Sequence, residues 1–103
     1  MIGRLMKMTA QPGRGAELAD VLLRVTESLR EFPGCELYAI THDLKDPDTV
    51  RVIEIWHSEE ASQTALTAPP AEGSPKPADV IALLAGPPER VDLELLGGVG
   101  LPG

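Results

Sequence analysis

The chain has 103 residues, of which 43% are hydrophobic and 24% charged, and a formal net charge of −7. This length and composition predict one small globular domain, and the acidic balance disfavours nucleic acid and anionic membranes as partners because their phosphates would be repelled. No run approaches the ~20 apolar residues of a membrane span, and the first residues carry no leader-like apolar run before a cleavage site, so we expect a cytoplasmic protein.

The first third of the chain predicts a strand followed by a helix. Residues 2–10 form a short mixed apolar run that stops at a Pro-Gly turn signal, and we interpret the run as a strand. Residues 15–31 carry apolar side chains at spacings of three and four, which places them on one stripe of a helix. The stripe consists of Leu18, Val21, Leu22, Val25, Leu29 and Phe32. A second Pro-Gly pair, at residues 33–34, ends the helix.

The middle of the chain predicts a β-hairpin. Residues 35–43 and 50–57 are strand-like runs separated by a polar turn at residues 44–48. We pair Asp43 with Thr49 across this turn, which fixes the face of every following side chain. One face then carries Tyr38, Ile40, His42, Val52, Glu54 and Trp56. A slip of one residue would reverse the assignment.

The last part of the chain predicts two short helices and a final strand. Ser58 can cap a helix that ends by Thr67, with two acidic residues in its first turn. Residues 69–77 hold four prolines and a glycine, and we expect a loop that lies over the mouth of a cleft and controls access to it. A third helix is expected over residues 78–85, and the alternating run at residues 90–96 predicts a strand.

The order of elements predicts an α+β fold of the ferredoxin-like βαββαβ type, with a four-stranded antiparallel sheet. We assign residues 1–98 to this single domain and residues 99–103 to a flexible tail. In this arrangement the first and third strands are central, and the helices cover one face of the sheet. The other face would expose Ile53 and Ile55 to water, so we expect a second copy to cover it in a two-fold homodimer.

A series of short motifs follows the chain in a defined order. They are Pro12-Gly13 after the first strand, Pro33-Gly34-Cys35 with Tyr38, Asp43 and Pro47 around the hairpin, and Glu54-x-Trp56 followed by Ser58, Glu60 and Ala61. With these motifs the chain resembles the antibiotic biosynthesis monooxygenase family of dimeric α+β barrel proteins over about residues 2–66. The resemblance implies a homodimer whose sheets meet face to face and a cleft in each subunit between sheet and helices. Some family members oxidise anthrones, polycyclic phenols or quinols with O₂ and without metal or flavin.

The chain departs from the family pattern at three positions. Ala65 stands where many members carry histidine, Val52 where the anthrone oxygenases carry asparagine, and Phe32 where several members carry an acidic residue. The haem-degrading branch needs an asparagine on the first strand and a histidine on a helix, which residues 2–10 and 58–66 lack. Three functions therefore stay open: a cofactor-free monooxygenase acting on an aromatic polyketide-type or quinol substrate, an isomerase or cyclase, and a non-catalytic dimer that binds a small aromatic molecule.

Three residues are candidates for catalysis. Trp56 could stack on an aromatic substrate, and His42, whose ordinary pKa is about 6.5, could act as a base. Glu54 lies in a central strand, where a bare charge costs several kcal/mol, so it needs a partner, and Arg4 is the candidate. With a raised pKa, Glu54 would itself be a base. The structural alternatives are a core tryptophan, a solvent-exposed strand-end histidine and a buried ion pair.

Four further residues are candidates for substrate binding, and no cofactor is expected. Tyr38 could donate a hydrogen bond to a substrate oxygen, and the apolar candidates are Ile40, Val52 and Leu66. The two histidines lack metal-ligand spacing, the single cysteine excludes a Cys cluster, and no phosphate-binding loop follows the early glycines. We therefore predict a cofactor-independent site without a metal.

Overall fold

The computed structural model describes residues 1–69 and 73–101, so residues 70–72 of the proline-rich segment and the last two residues of the predicted tail lie outside the described chain. The elements in chain order are β1 (Ile2–Thr9), α1 (Gly15–Leu29), β2 (Cys35–His42), β3 (Thr49–Trp56), α2 (Glu59–Thr67), α3 (Pro77–Ile81) and β4 (Glu89–Glu94). The four strands form one antiparallel sheet in the order β2-β3-β1-β4. The predicted ferredoxin-like fold is confirmed, with β1 and β3 in the centre of the sheet.

Several elements are shorter than the sequence predicted, among them the last helix and the last strand. Helix α3 ends at Ile81, because the chain then turns toward β1, where Leu84 forms a bridge with Ala10. Strand β4 ends at Glu94, which is paired with Ile2 at the start of β1, and beyond it the Leu95 amide makes one further backbone hydrogen bond, to the Met1 carbonyl at 3.2 Å. None of the helices in the described chain is long and apolar enough to cross a membrane.

The register of the β2–β3 hairpin is the predicted one. The Asp43 amide donates to the Thr49 carbonyl at 2.9 Å, and further along the hairpin Tyr38 lies opposite Glu54. Val52, Glu54 and Trp56 are all buried on the face that meets the helices. The polar turn therefore sets which side chains the helices cover.

Two glycines let helices approach the rest of the chain closely. A Cβ on Gly15 would lie 1.9 Å from the Pro47 carbonyl oxygen, so only glycine fits where α1 starts against the hairpin turn. Gly34 has a φ of +86°, and a Cβ there would lie 2.5 Å from the Cβ of Ala61 on α2. These contacts fix the positions of α1 and α2 over the sheet.

The core occupies only one end of the helix-facing side of the sheet. It is a cluster of buried apolar residues: Ala10, Leu18, Ala19, Leu22, Val50, Val52 and Leu83. The first turns of α1 cover this end, where Leu18, Val50 and Val52 are completely buried. Toward the other end of the same face, β3 buries Glu54 and Trp56 instead of aliphatic residues.

The opposite face of the sheet is apolar and carries no covering layer in the described chain. Leu5 of β1 lies opposite Ile53 of β3 and Val91 of β4, while Gly3 lies opposite Ile55 and Leu93. Its large apolar side chains are partly exposed: Leu5, Leu37, Ile53, Val91 and Leu93. We call this surface the bare face. Its presence agrees with the sequence, and the homodimer expected to cover it remains a prediction.

Candidate active site

A cleft of about 430 Å³ lies between the helix-facing side of the sheet, the second half of α1, α2 and the chain that follows α2. This volume falls in the range of about 300–1,000 Å³ that is typical of small-molecule sites. Most of the wall is apolar: Met6, Met8, Val25, Leu29, Phe32, Trp56, Ala65, Leu66, Ala68, Pro69, Pro75 and Pro77. The polar lining residues are Arg4, Ser28, Tyr38, Glu54, Ser62, Ser74 and Arg90.

A buried polar network forms the floor of the cleft. Arg4 and Glu54 lie directly opposite each other on β1 and β3, and they are only 3% and 6% exposed. Arg4 Nη1 lies 3.4 Å from Glu54 Oε1, and Arg4 Nη2 donates to Ser62 Oγ at 2.7 Å. The predicted ion pair of Arg4 with Glu54 is therefore present. It compensates a carboxylate whose burial alone would cost several kcal/mol.

The two oxygens of Glu54 have different environments. Oε1 accepts hydrogen bonds from Arg4 Nη1 and, at 3.0 Å, from the indole Nε1 of Trp56. Oε2 has no hydrogen-bond donor in the described part of the chain. Because Glu54 lines the cleft, its unused oxygen is the acceptor that the protein offers to a molecule bound there.

Tyr38 supplies a hydroxyl beside this carboxylate. It lies opposite Glu54 on the neighbouring strand and lines the cleft. Burial first, and then the negative charge of Glu54, raise the pKa of Tyr38 well above its ordinary value. With a raised pKa the phenol stays protonated over the physiological range and can donate a hydrogen bond.

Trp56 borders the cleft but shows little of its ring to it. The residue is 2% exposed, and the ring of Phe32 meets it edge-on with centroids 6.4 Å apart. Its indole N–H is already bound to Glu54. In this structure Trp56 packs against Phe32 and holds the carboxylate through its indole N–H. The proposed stacking role of Trp56 stays a prediction.

The other predicted site residues separate into two groups. Leu66 is in the cleft wall, whereas His42, Ile40 and Val52 are not among the lining residues. His42 lies at the far end of the face, with Nε2 3.4 Å from the Gly15 carbonyl oxygen. Val52 is completely buried in the core, and Ile40 packs against it. All three share a face with Glu54. Helix α1 covers Val52 and Ile40, whereas His42 is exposed at the end of its strand.

Sequence reasoning missed several lining residues. Phe32, Ser62 and Arg90 face the cleft and had no role in the predicted site. Arg90 carried a usable signal, because the alternation of β4 places Arg90 and Asp92 on one side and Val91 and Leu93 on the other. The sequence did not show which of the two sides would face the helices.

The proline-rich segment borders the cleft. Of its described residues, Pro69, Ser74, Pro75 and Pro77 line the cleft, while residues 70–72 lie outside the described chain. The position agrees with the expected location near the mouth. Control of substrate access by this segment remains a prediction.

The chain has a ferredoxin-like sheet, a ligand-sized cleft under its helices and a carboxylate–tryptophan pair on the cleft floor. These features define a class of small α+β proteins. Residues 1–72 match the model of the family described as antibiotic biosynthesis monooxygenase. The chain belongs to this family.

Solved structures agree with this assignment. A candidate antibiotic biosynthesis monooxygenase from Chloroflexus aurantiacus J-10-fl is 30% identical, with 98% of each chain covered and a TM-score of 0.82. One from Caulobacter crescentus CB15 is 23% identical over 93% of this chain and 90% of its own, with a TM-score of 0.82. SnoaB, a cofactor-independent oxygenase from Streptomyces nogalater, is 16% identical over 96% of each chain, with a TM-score of 0.73. The last two show a shared fold. No curated protein matches the sequence.

Proposed function

We propose that the protein is a cofactor-independent monooxygenase that oxidises an aromatic substrate of the anthrone or quinol type with O₂. The observation that carries this proposal is the buried carboxylate of Glu54, which has one free oxygen at the floor of an apolar cleft. Family membership and the structural likeness to SnoaB, itself a cofactor-independent oxygenase, support it.

The proposed reaction needs a base, a donor and a dry site. Glu54 Oε2 takes a proton from the acidic CH₂ of an anthrone, and the resulting carbanion donates electrons to O₂ and forms a C–O bond. The peroxide that results takes up a proton and loses water, which leaves a ketone, so the net change is CH₂ plus O₂ to C=O plus H₂O. One oxygen atom enters the product and the other leaves as water. The apolar walls limit competing reactions with solvent.

The neighbours of Glu54 have supporting roles in this proposal. Tyr38, held protonated, donates to the oxyanion of the deprotonated substrate. Arg4 provides the counter-charge that keeps a carboxylate stable at the floor, and the Trp56 N–H fixes its orientation. A positioned base of this kind contributes about 10²- to 10⁴-fold to a rate.

We also infer that two copies pack together through the bare face. Leu5, Ile53 and Val91 form a continuous row across three strands, and apolar patches of this kind mark interfaces. A two-fold axis that lies between two such faces, parallel to the sheets, would bury the row of one copy against that of the other. The cleft lies on the other side of the sheet, so the proposed pairing leaves it open.

Oxygen uptake tests the proposed activity. With anthrone as substrate, the protein should consume O₂ faster than the uncatalysed oxidation, and Glu54→Gln should lose about 10²-fold or more of that gain. Glu31→Gln, an exposed carboxylate on the surface, is the matched control and should behave like the native protein. Uptake no faster than the uncatalysed oxidation would remove the proposal. Product formation under nitrogen would instead favour an isomerase or cyclase, and retention of unchanged ligand would favour a binding protein.

A further inference from the structure

Strand β4 turns its charged side toward the helices and its apolar side away from them. Its apolar residues Val91 and Leu93 lie on the bare face, opposite Leu5 and Gly3 of β1. Its charged residues Arg90 and Asp92 lie opposite Met6 and Arg4, and therefore on the side that faces the helices. A strand that served only the fold of a single subunit would place its apolar side toward the helices. The charges on the inner side thus call for another explanation.

Arg90 is a cation at the β4 edge of the cleft with unused donors. Its Nε donates to Asp92 Oδ1 at 2.8 Å, which orients the guanidinium, while its two Nη groups have no acceptor in the described part of the chain. The side chain is 40% exposed and lines the cleft. A bound molecule can therefore reach these N–H groups.

Arg4, the other cation of the cleft, already has a partner at every nitrogen. Its three nitrogens donate to Asp92, Glu54 and Ser62, and it is almost completely buried. Of the two arginines in the cleft lining, Arg90 is the one whose two Nη groups have no acceptor in the described part of the chain. The free edge of a guanidinium matches the two oxygens of a carboxylate, which it binds through two parallel hydrogen bonds.

We propose that Arg90 binds a carboxylate on the substrate, so that the preferred substrates are aromatic acids with the charged group at one end of the ring system. This inference rests on the proposed function for the statement that the bound aromatic acid is the oxygenation substrate. A chain with a net charge of −7 repels anions in general, so recognition of an anionic substrate needs a local cation of this kind.

The two ends of the cleft also set the orientation of such a substrate. The ionised Glu54 on the floor repels a carboxylate, and Arg90 at the β4 edge attracts it. The acid group therefore points toward β4, and the apolar rings extend between Met6 and Leu29 toward the floor. The reactive CH₂ then faces Glu54, and the carboxylate lies on a ring that points away from it.

A binding comparison tests this inference without turnover. Anthracene-2-carboxylate and 2-(hydroxymethyl)anthracene have the same rings and differ in charge, and neither carries the reactive CH₂. Binding is followed under nitrogen through the fluorescence of Trp56, the single tryptophan of the chain. We expect the acid to bind about tenfold more tightly than the alcohol, with a preference that shrinks as salt is raised.

Three variants assign this preference to Arg90. Arg90→Gln should abolish it, and Arg90→Lys should retain part of it as a single point charge. Arg24→Gln changes the net charge by the same amount at an exposed site outside the cleft lining, and it should keep the full preference. Equal binding of acid and alcohol by the native protein, no binding of either, or a preference that survives in Arg90→Gln would each overturn the inference.

The result is separable from the proposed activity. If the acid binds through Arg90 but anthrone oxidation is not accelerated, recognition of aromatic acids stands and the oxygenase proposal fails. If anthrone is oxidised and the carboxylate adds no affinity, the oxygenase proposal stands and the role of Arg90 falls.

Discussion

The two faces of the sheet differ in the side chains they carry and in what covers them. The helix-facing side holds a small core at one end and a cleft with charged residues at the other, while the bare face is an almost continuous apolar surface. Strand β3 shows the contrast residue by residue: Glu54 is buried under the helices, and its neighbours Ile53 and Ile55 point away from them. On this stretch of the strand the partly exposed side chains are apolar, and the buried one between them is charged.

The largest effect should come from breaking the polar network on the cleft side. Arg4→Met leaves the Glu54 carboxylate buried without its counter-charge, and we expect a loss of about 3–5 kcal/mol in the free energy of unfolding, measured by urea denaturation. The double variant Arg4→Met with Glu54→Gln should recover much of that loss. Arg14→Met breaks an exposed pair with Glu17 and should cost less than about 1 kcal/mol. Equal losses for Arg4→Met and Arg14→Met would mean that the network does not stabilise the fold.

The next effect concerns the bare face. Ile53→Asp places a charge in the middle of the apolar row and should convert the proposed dimer into a monomer at micromolar concentration, measured by analytical ultracentrifugation. Lys7→Asp introduces the same carboxylate nearer the rim of that face, beside Glu89, and should weaken the dimer less. A native chain that sediments as a monomer would refute the pairing.

A smaller effect separates the two faces by concentration dependence. Val52→Ala removes two methyl groups from the core and should cost about 1–3 kcal/mol at every protein concentration. Ile53→Ala, one residue further, should lower the melting temperature mostly through the weaker dimer, so its effect should depend on protein concentration. Melting curves at several protein concentrations measure this difference. If the melting temperatures of both variants depended on concentration in the same way, the two faces would not differ in their contribution to the dimer.

The smallest effect is a shift in titration. Tyr38 is the single tyrosine, so the absorbance of tyrosinate at alkaline pH reports it alone. Burial and the charge of Glu54 raise its pKa in the folded protein above the unfolded value of about 10. The stability that this shift contributes is therefore complete below pH ~10 and is lost as pH rises through the folded pKa. Glu54→Gln should lower the pKa of Tyr38 only in part, because burial is the larger cause, and an unchanged pKa would contradict the proposed proximity.

The sequence predicted the fold better than the site, for a physical reason. The spacing of apolar residues in α1 and the five-residue turn of the hairpin are local signals, and they fixed the element order and the register of Tyr38 opposite Glu54. The same register placed His42 and Val52 on the correct face. How far α1 extends over that face depends on the contact of Gly15 with the hairpin turn, which is not local. The sequence therefore could not show that Val52 would be buried in the core and His42 left exposed at the strand end, both outside the cleft.

Strand β4 illustrates the same limit from the other side. Its alternation was clear, but the choice of inner side depends on what covers the bare face. In a lone subunit Val91 and Leu93 would be expected inside, and the structure has Arg90 and Asp92 there. The alternation alone therefore did not show that Arg90 would line the cleft with two Nη groups that have no acceptor in the described chain.

The missing side chain of Gly34 has a consequence for the evolution of this protein. Because a Cβ there would collide with Ala61, the contact of Gly34 with Ala61 limits how far α2 can move, and the hydrogen bond from Arg4 to Ser62 ties α2 to the sheet as well. Neither contact involves Leu66 or Ala65, so substitutions of these two lining residues can reshape the cleft wall while α2 keeps its distance from the sheet. A larger residue at Gly34 or Ala61 would instead push α2 away from the sheet. The cleft can therefore change shape in two ways, by small changes in its wall or by a displacement of α2.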